Sequence, residues 1–120
     1  MRLINSHKAV DSEPIDVFCL DEPGPGGASH KYHVTCGVAG SFVPVNINFQ
    51  KGPILENGVN GVTQEVLLAI VKDRLEGFQS GAFANANNQL ALEYVNLALT
   101  CLKERTLERI ARNVEGKSIL

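Results

Sequence analysis

The 120-residue chain has little of what would commit it early to a chemistry. Its three cysteines, Cys19, Cys36 and Cys101, are odd in number and too far apart for a Cys-x-x-Cys redox or metal pair, so buried reduced thiols are expected. The longest apolar run, Val66 to Val71, is far short of the roughly eighteen residues that a membrane span requires. Near the start, Arg2 and Lys8 are followed by neither an apolar core nor a small-residue cleavage site. No secretory signal is read, and a cytoplasmic protein is expected. Also missing are His-Glu-x-x-His, a Walker phosphate loop and Gly-x-Ser-x-Gly; the glycines from Gly24 to Gly27 lack the lysine and helix that a phosphate loop needs. No catalytic residue and no cofactor is therefore assigned.

Charge of one sign is lacking too. Eleven Lys and Arg stand against thirteen Asp and Glu, a net charge of -2, which disfavours a protein that grips duplex nucleic acid through a generally basic surface. The total hides a gradient: residues 101–120 hold five basic groups and three acidic ones, whereas the rest of the chain is acidic on balance. An anion-binding function belongs at that end.

What is present describes a folded α+β protein. Apolar residues make up 44% of the chain and charged residues 20%, ordinary values for a globular domain. Its length suits one domain, 1–120, with an antiparallel sheet region over 1–56 and a helical hairpin over 57–120. Ile15 to Leu20 is rich in strand formers, and Asp21 to Gly27, with two prolines and three glycines, reads as an irregular mobile loop. Tyr32, Val34 and Cys36 alternate with Lys31, His33 and Thr35; Val43, Val45, Ile47 and Phe49 alternate with Pro44, Asn46, Asn48 and Gln50. Both are half-buried strands, and Pro44, without an N–H, belongs at a sheet edge or bulge. From Thr63, a plausible N-cap, the period becomes helical, with Val66, Leu67, Ile70, Val71, Leu75 and Phe78 as apolar positions up to Ser80-Gly81. A longer helix over about 85–112 carries Leu92, Val95, Leu99 and Leu102 at heptad spacing. These apolar positions exceed what a narrow sheet could cover, so association between chains through the helices is expected.

Three places could carry chemistry. Arg105, Arg109 and Arg112, spaced four and three, form one helical stripe, with Arg109 on the continuation of the apolar seam. Arginines converging there suit phosphate oxygens, while the alternative is a solvated helix end in which Glu108 pairs with Arg112. The second place is the inter-helix segment, where Phe78 and Phe83 offer stacking faces and Asn85, Asn87 and Asn88 offer amides near a helix start; the alternative there is closure of the hairpin core and a helix cap. His30 and His33, three apart in a strand, point to opposite faces and do not share a metal, so no metal site is assigned.

Several of these segments, taken together, resemble one phage family. Asn48-Phe-Gln-Lys-Gly-Pro-Ile-Leu-Glu-Asn-Gly-Val-Asn-Gly61, Leu68-Ala-Ile-Val-Lys-Asp-Arg-Leu-Glu-Gly-Phe-Gln-Ser-Gly81, Leu90-Ala-Leu92, Arg105-Thr106 and Val114-Glu-Gly116 are similar, in order and spacing, to the hairpin-domain family of phage anti-Thoeris and anti-CBASS proteins. His30 and Tyr32 after the glycine-rich loop resemble the family's N-terminal strand, which favours the anti-Thoeris branch. The resemblance implies a non-enzymatic sponge that sequesters signalling nucleotides: glycocyclic ADP-ribose between two protomers and, in hexamers, cyclic trinucleotides on a three-fold axis. By position it implies that Phe78 stacks on adenine, that Asn88 lies beside the same ligand, and that Arg105 and Arg109 grip trinucleotide phosphates. Arg112 has no counterpart in the family. Where relatives usually read Cys-Arg-Glu-Asn, this chain reads Asn85-Ala86-Asn87-Asn88 and lacks both a cation and an anion in that turn. A phosphodiesterase acting on such signals, with His30 and His33 as candidates, and an oligomeric DNA- or protein-binding regulator are the competing functions.

Overall fold

The structure is a computed structural model that describes all residues except Ala39, Gly40 and Phe42, and the side chain of Pro25. The chain forms two compact units, Met1–Val62 and Thr63–Leu120.

The first unit is an antiparallel meander in the order β1-β2-β3-β4, with β1 at Arg2–Ile4, β2 at Ile15–Cys19, β3 at Lys31–Cys36 and β4 at Val43–Asn48. Pro44 sits opposite Thr35 on β4, an edge strand, where a missing N–H costs no ladder bond on the open side. Tyr32 meets Phe49 edge-to-face, with ring centroids 5.6 Å apart. Beyond β4, Val62 N–H donates to the Asn48 carbonyl and Gln50 N–H to the Val62 carbonyl, so residues 61–62 lie against the end of the sheet. Gly61 makes that approach possible: a Cβ there would stand 2.5 Å from the Phe49 carbonyl carbon, leaving no room for a side chain. A one-turn helix, α1 at Ile54–Asn57, fills the intervening loop.

The stretch from Asp21 to Gly27 is more ordered than its composition suggests. It contains a 3-10 turn at Pro25–Gly27 and is anchored from below by Asp21. The Asp21 carboxylate accepts the backbone N–H groups of His30 and Lys31 at 3.0 Å each, while its own carbonyl accepts from the Ser29 hydroxyl at 3.1 Å. The Lys31 N–H is the main cause of a carboxylate pKa held below its ordinary value of 3.8, with His30 adding to the effect against a partly opposing desolvation. Because the folded pKa is depressed, the carboxylate anchor is at full strength above about pH 4 and weakens only as pH falls through the lowered value. In an acid titration followed by NMR, the Lys31 amide should therefore begin to shift only below about pH 4, and Asp21→Asn should remove that transition. A Lys31 amide that titrates near pH 6 instead would show that the carboxylate is not its partner.

The second unit is a helical hairpin. Thr63 caps α2 (Gln64–Gln79) by accepting from the Val66 N–H at 3.3 Å, and Asn85 caps α3 (Ala86–Ala111) by accepting from the Asn88 N–H at 2.8 Å. The heptad seam of α3 turns inward: Leu99 is buried, and Leu92, Val95 and Leu102 are half-buried, as are Leu67, Leu68 and Leu75 on α2. A shallow apolar hollow lined by Leu67, Leu68, Ala98, Cys101 and Leu102 lies between the helices. Leu99 is the only apolar hairpin residue buried among the described residues, at 7% exposure, whereas Val66, Ile70, Leu90, Tyr94 and Leu97 remain exposed. One apolar face thus closes the hairpin and a second is left over. Among the described residues, no helix is long and apolar enough to cross a membrane.

Candidate ligand-binding site

Phe78 lies in the last turn of α2 with 42% of its surface exposed. The guanidinium of Arg74, one turn earlier, stands over its ring at 5.7 Å from the centroid. That contact is a cation–π pair at i, i+4 spacing, and it keeps a positive charge over one face of a part-exposed ring. Arg74 has no ion pair among the described residues.

The start of α3 is held against this end of α2 by Gln79. Its amide nitrogen donates to the Asn85 carbonyl at 3.1 Å and to Gln89 Oε1 at 3.3 Å, and its amide oxygen accepts from the Asn85 N–H at 3.0 Å. Asn85 then caps α3 and donates from Nδ2 to the Phe83 carbonyl at 3.1 Å. One glutamine therefore clamps the turn, and the turn fixes the first residues of α3. Asn88, three residues into that helix, gives its backbone N–H to the cap, while its side-chain amide has no partner among the described residues. The N–H groups of Ala86 and Asn87, like those at any helix start, lack an acceptor within the helix. Phe78 and Asn88 thus belong to the same end of the hairpin: an open aromatic face, a flanking guanidinium, a free amide and the positive end of a 26-residue helix dipole. Phe83, 76% exposed, does not close the hairpin core. This combination can hold a flat base by stacking and an anion by charge and N–H donors.

The arginine stripe lies at the opposite end of α3, roughly 25 Å from Asn88 at 1.5 Å per residue. Its members differ sharply. Arg105 is exposed and has no hydrogen-bond or ion-pair partner among the described residues. Arg109 is 9% exposed: Nε donates to Glu115 at 3.1 Å, and the two terminal nitrogens donate to the carbonyls of Val114, Lys117 and Ile119. Arg112 pairs with Glu108 at 3.1 Å, the i, i+4 bridge its spacing suggests, and also donates to the Leu120 carbonyl.

Elsewhere, His33 Nδ1 lies 2.6 Å from Asn46 Oδ1 at an exposed strand position. His30 is 6% exposed, with Nδ1 unpartnered and 3.9 Å from Asp21 Oδ2. Among the described residues no cluster of His, Cys, Asp and Glu could hold a metal ion.

The sheet unit and the hairpin unit, with an exposed aromatic turn in the latter, define a small α+β protein. The sequence profile of the Acb2/Tad1 hairpin domain matches residues 43–104, just over half of the chain, and the chain belongs to that family. The protein "Thoeris anti-defense 1" of Bacillus phage SBSphiJ7 is 44% identical over 93 residues, a match that takes in 78% of this chain and 63% of that relative. Phe78, Asn88, Gln79 and Arg74 all fall inside the matched domain; Arg105, Arg109 and the segment that holds Arg109 lie beyond it.

Proposed function

We propose that this chain is a phage immune-evasion protein that acts in the host bacterial cytoplasm by binding and sequestering cyclic nucleotide signals, and that it does not cleave them. Family membership and the name of the phage relative support an anti-Thoeris role, and the hairpin turn supplies the chemistry such a role requires. The observation that carries the reading is the open Phe78 ring, flanked by Arg74, at the hairpin end where Asn88 keeps its amide free. In this reading Phe78 stacks on the adenine of glycocyclic ADP-ribose and Asn88 hydrogen-bonds the same ligand. Arg74 and the α3 N-terminus then offset the cation missing from Asn85-Ala86-Asn87-Asn88. Arg105 and Arg109 form a second subsite for cyclic trinucleotide phosphates, one guanidinium pair per phosphate around a symmetry axis.

The apolar face left exposed on both helices supports a homo-oligomer, dimer or hexamer, assembled through the helices, with pockets shared between protomers. A small ligand enclosed by two chains is surrounded on most sides, which favours slow release over turnover. Native mass spectrometry of the protein with glycocyclic ADP-ribose should show a multiple of the chain mass carrying intact ligand. A monomer that retains no nucleotide would contradict the proposal.

A further inference from the structure

At the end of α3 the chain reverses through a Schellman turn. Val114 N–H donates to the Arg109 carbonyl at 2.9 Å and Asn113 N–H to the Ile110 carbonyl at 2.9 Å, with Asn113 at a φ of 58°. Residues 114–119 then wrap around the Arg109 side chain. One carboxylate and three carbonyls take four of its five N–H donors. Oxygens gathered about one guanidinium in this way offer what an oxyanion offers: several acceptors and one negative charge. Arg105, one turn earlier on the same stripe, has no such partners. The two arginines that would share a phosphate are therefore in opposite states, one open and one already filled from within the chain.

We propose that Asn113–Leu120 is an internal occupant of the Arg105–Arg109 anion subsite, displaced when a phosphodiester binds, and that Glu115 sets the affinity threshold a ligand must exceed. The inference rests on the reading of Arg105 and Arg109 as a phosphate site. A phosphodiester oxygen reaches Arg109 in a forked geometry only if some of the present acceptors leave. The three carbonyls carry no net charge, whereas Glu115 presents a full negative charge to the incoming phosphate from 3.1 Å of Arg109 Nε, and its side chain is 38% exposed. Two of the nearby basic groups do not offset that charge, since Arg112 is engaged by Glu108 and the Lys117 ammonium donates to the Asn113 carbonyl, which leaves Arg105 as the open cation. A ligand carrying several phosphates around a ring displaces several such segments at once, and a mononucleotide does not. The segment thus selects for cyclic oligonucleotides.

The test uses the full chain and a cyclic tri-adenylate. Glu115→Gln keeps the side-chain shape, removes the competing charge and should tighten binding roughly fivefold, the scale of a partly exposed ion pair. In the unsubstituted protein the Lys117 amide, now bonded to the Val114 carbonyl, should exchange faster with deuterated solvent when the ligand is added. Binding that depends on Arg105, with Glu115→Gln giving no gain and the Lys117 amide staying protected, would overturn the internal-occupant proposal and leave the phosphate site standing. Failure of both the unsubstituted protein and Glu115→Gln to bind the tri-adenylate would overturn the phosphate site, and this inference with it.

Discussion

Replacing Phe78 with alanine is expected to reduce binding of glycocyclic ADP-ribose by up to two orders of magnitude while leaving the oligomer and the helical content unchanged. Stacking of a base on an aromatic side chain is worth about 1–3 kcal/mol, and each 1.4 kcal/mol is tenfold in affinity. Little else depends on the ring. Phe78 is 42% exposed, and Arg74, its charged neighbour, is itself exposed. The turn that follows is held by Gln79 and Asn85, which the substitution leaves in place. Asn88→Ala should act in the same direction with a smaller effect, since it removes one side-chain amide and keeps the backbone N–H that Asn85 caps. Isothermal titration of both variants, with circular dichroism as a check on folding, reads these losses. Unchanged affinity in Phe78→Ala would remove the hairpin turn as the nucleoside site.

The second large effect is expected from Arg105→Ala, and it should be confined to the other ligand class. A charge-assisted hydrogen bond contributes about 1.5–3 kcal/mol, and three symmetry-related copies around one ring raise the loss to roughly a thousandfold or more. Arg105 suits this experiment better than Arg109. Arg105 is exposed and unpaired, so its truncation leaves no buried group without a partner. Truncating Arg109 would strand the Glu115 carboxylate and three carbonyls and loosen residues 113–120, which mixes a binding effect with a structural one. Glycocyclic ADP-ribose binding should not change in Arg105→Ala, because roughly 25 Å of helix separates Arg105 from Asn88. A parallel loss of both ligands would mean that they share one site.

These two arginines differ in how much of their setting is legible in the sequence. Helical periodicity places both on one stripe and puts Arg109 on the continuation of the apolar seam, whereas the contacts around the buried Arg109 come from residues 114–119. Periodicity says nothing about chain beyond the helix end, so the four acceptors supplied by residues 114–119 had no signal, although Val114-Glu-Gly116 belonged to the segments that carried the family resemblance. The helices were legible because their caps are local: Thr63 and Asn85 act within three residues of themselves. Strand β1 was not, since three residues, Arg2 to Ile4, become a strand only by pairing with Cys19, Phe18 and Val17. The proline- and glycine-rich loop misled for a similar reason. Its order comes from a carboxylate at Asp21 that reaches N–H groups nine and ten residues away. In the inter-helix turn, Phe78 and Asn88 are visible in the sequence by type and position, as is the i, i+4 spacing of Arg74 and Phe78. Gln79 is not, because a clamp that joins two helix ends is defined by both ends at once.

A protein that sequesters its ligand, as proposed, leaves it chemically unchanged. The most direct test incubates the protein with excess glycocyclic ADP-ribose, isolates the complex, denatures it, and identifies the released nucleotide by mass spectrometry and chromatography against the starting material. Full recovery of unaltered ligand is expected, with renewed activity of that ligand toward its effector and no fall in the free excess over time. Recovery of a hydrolysed product, or steady loss of the excess ligand, would contradict it.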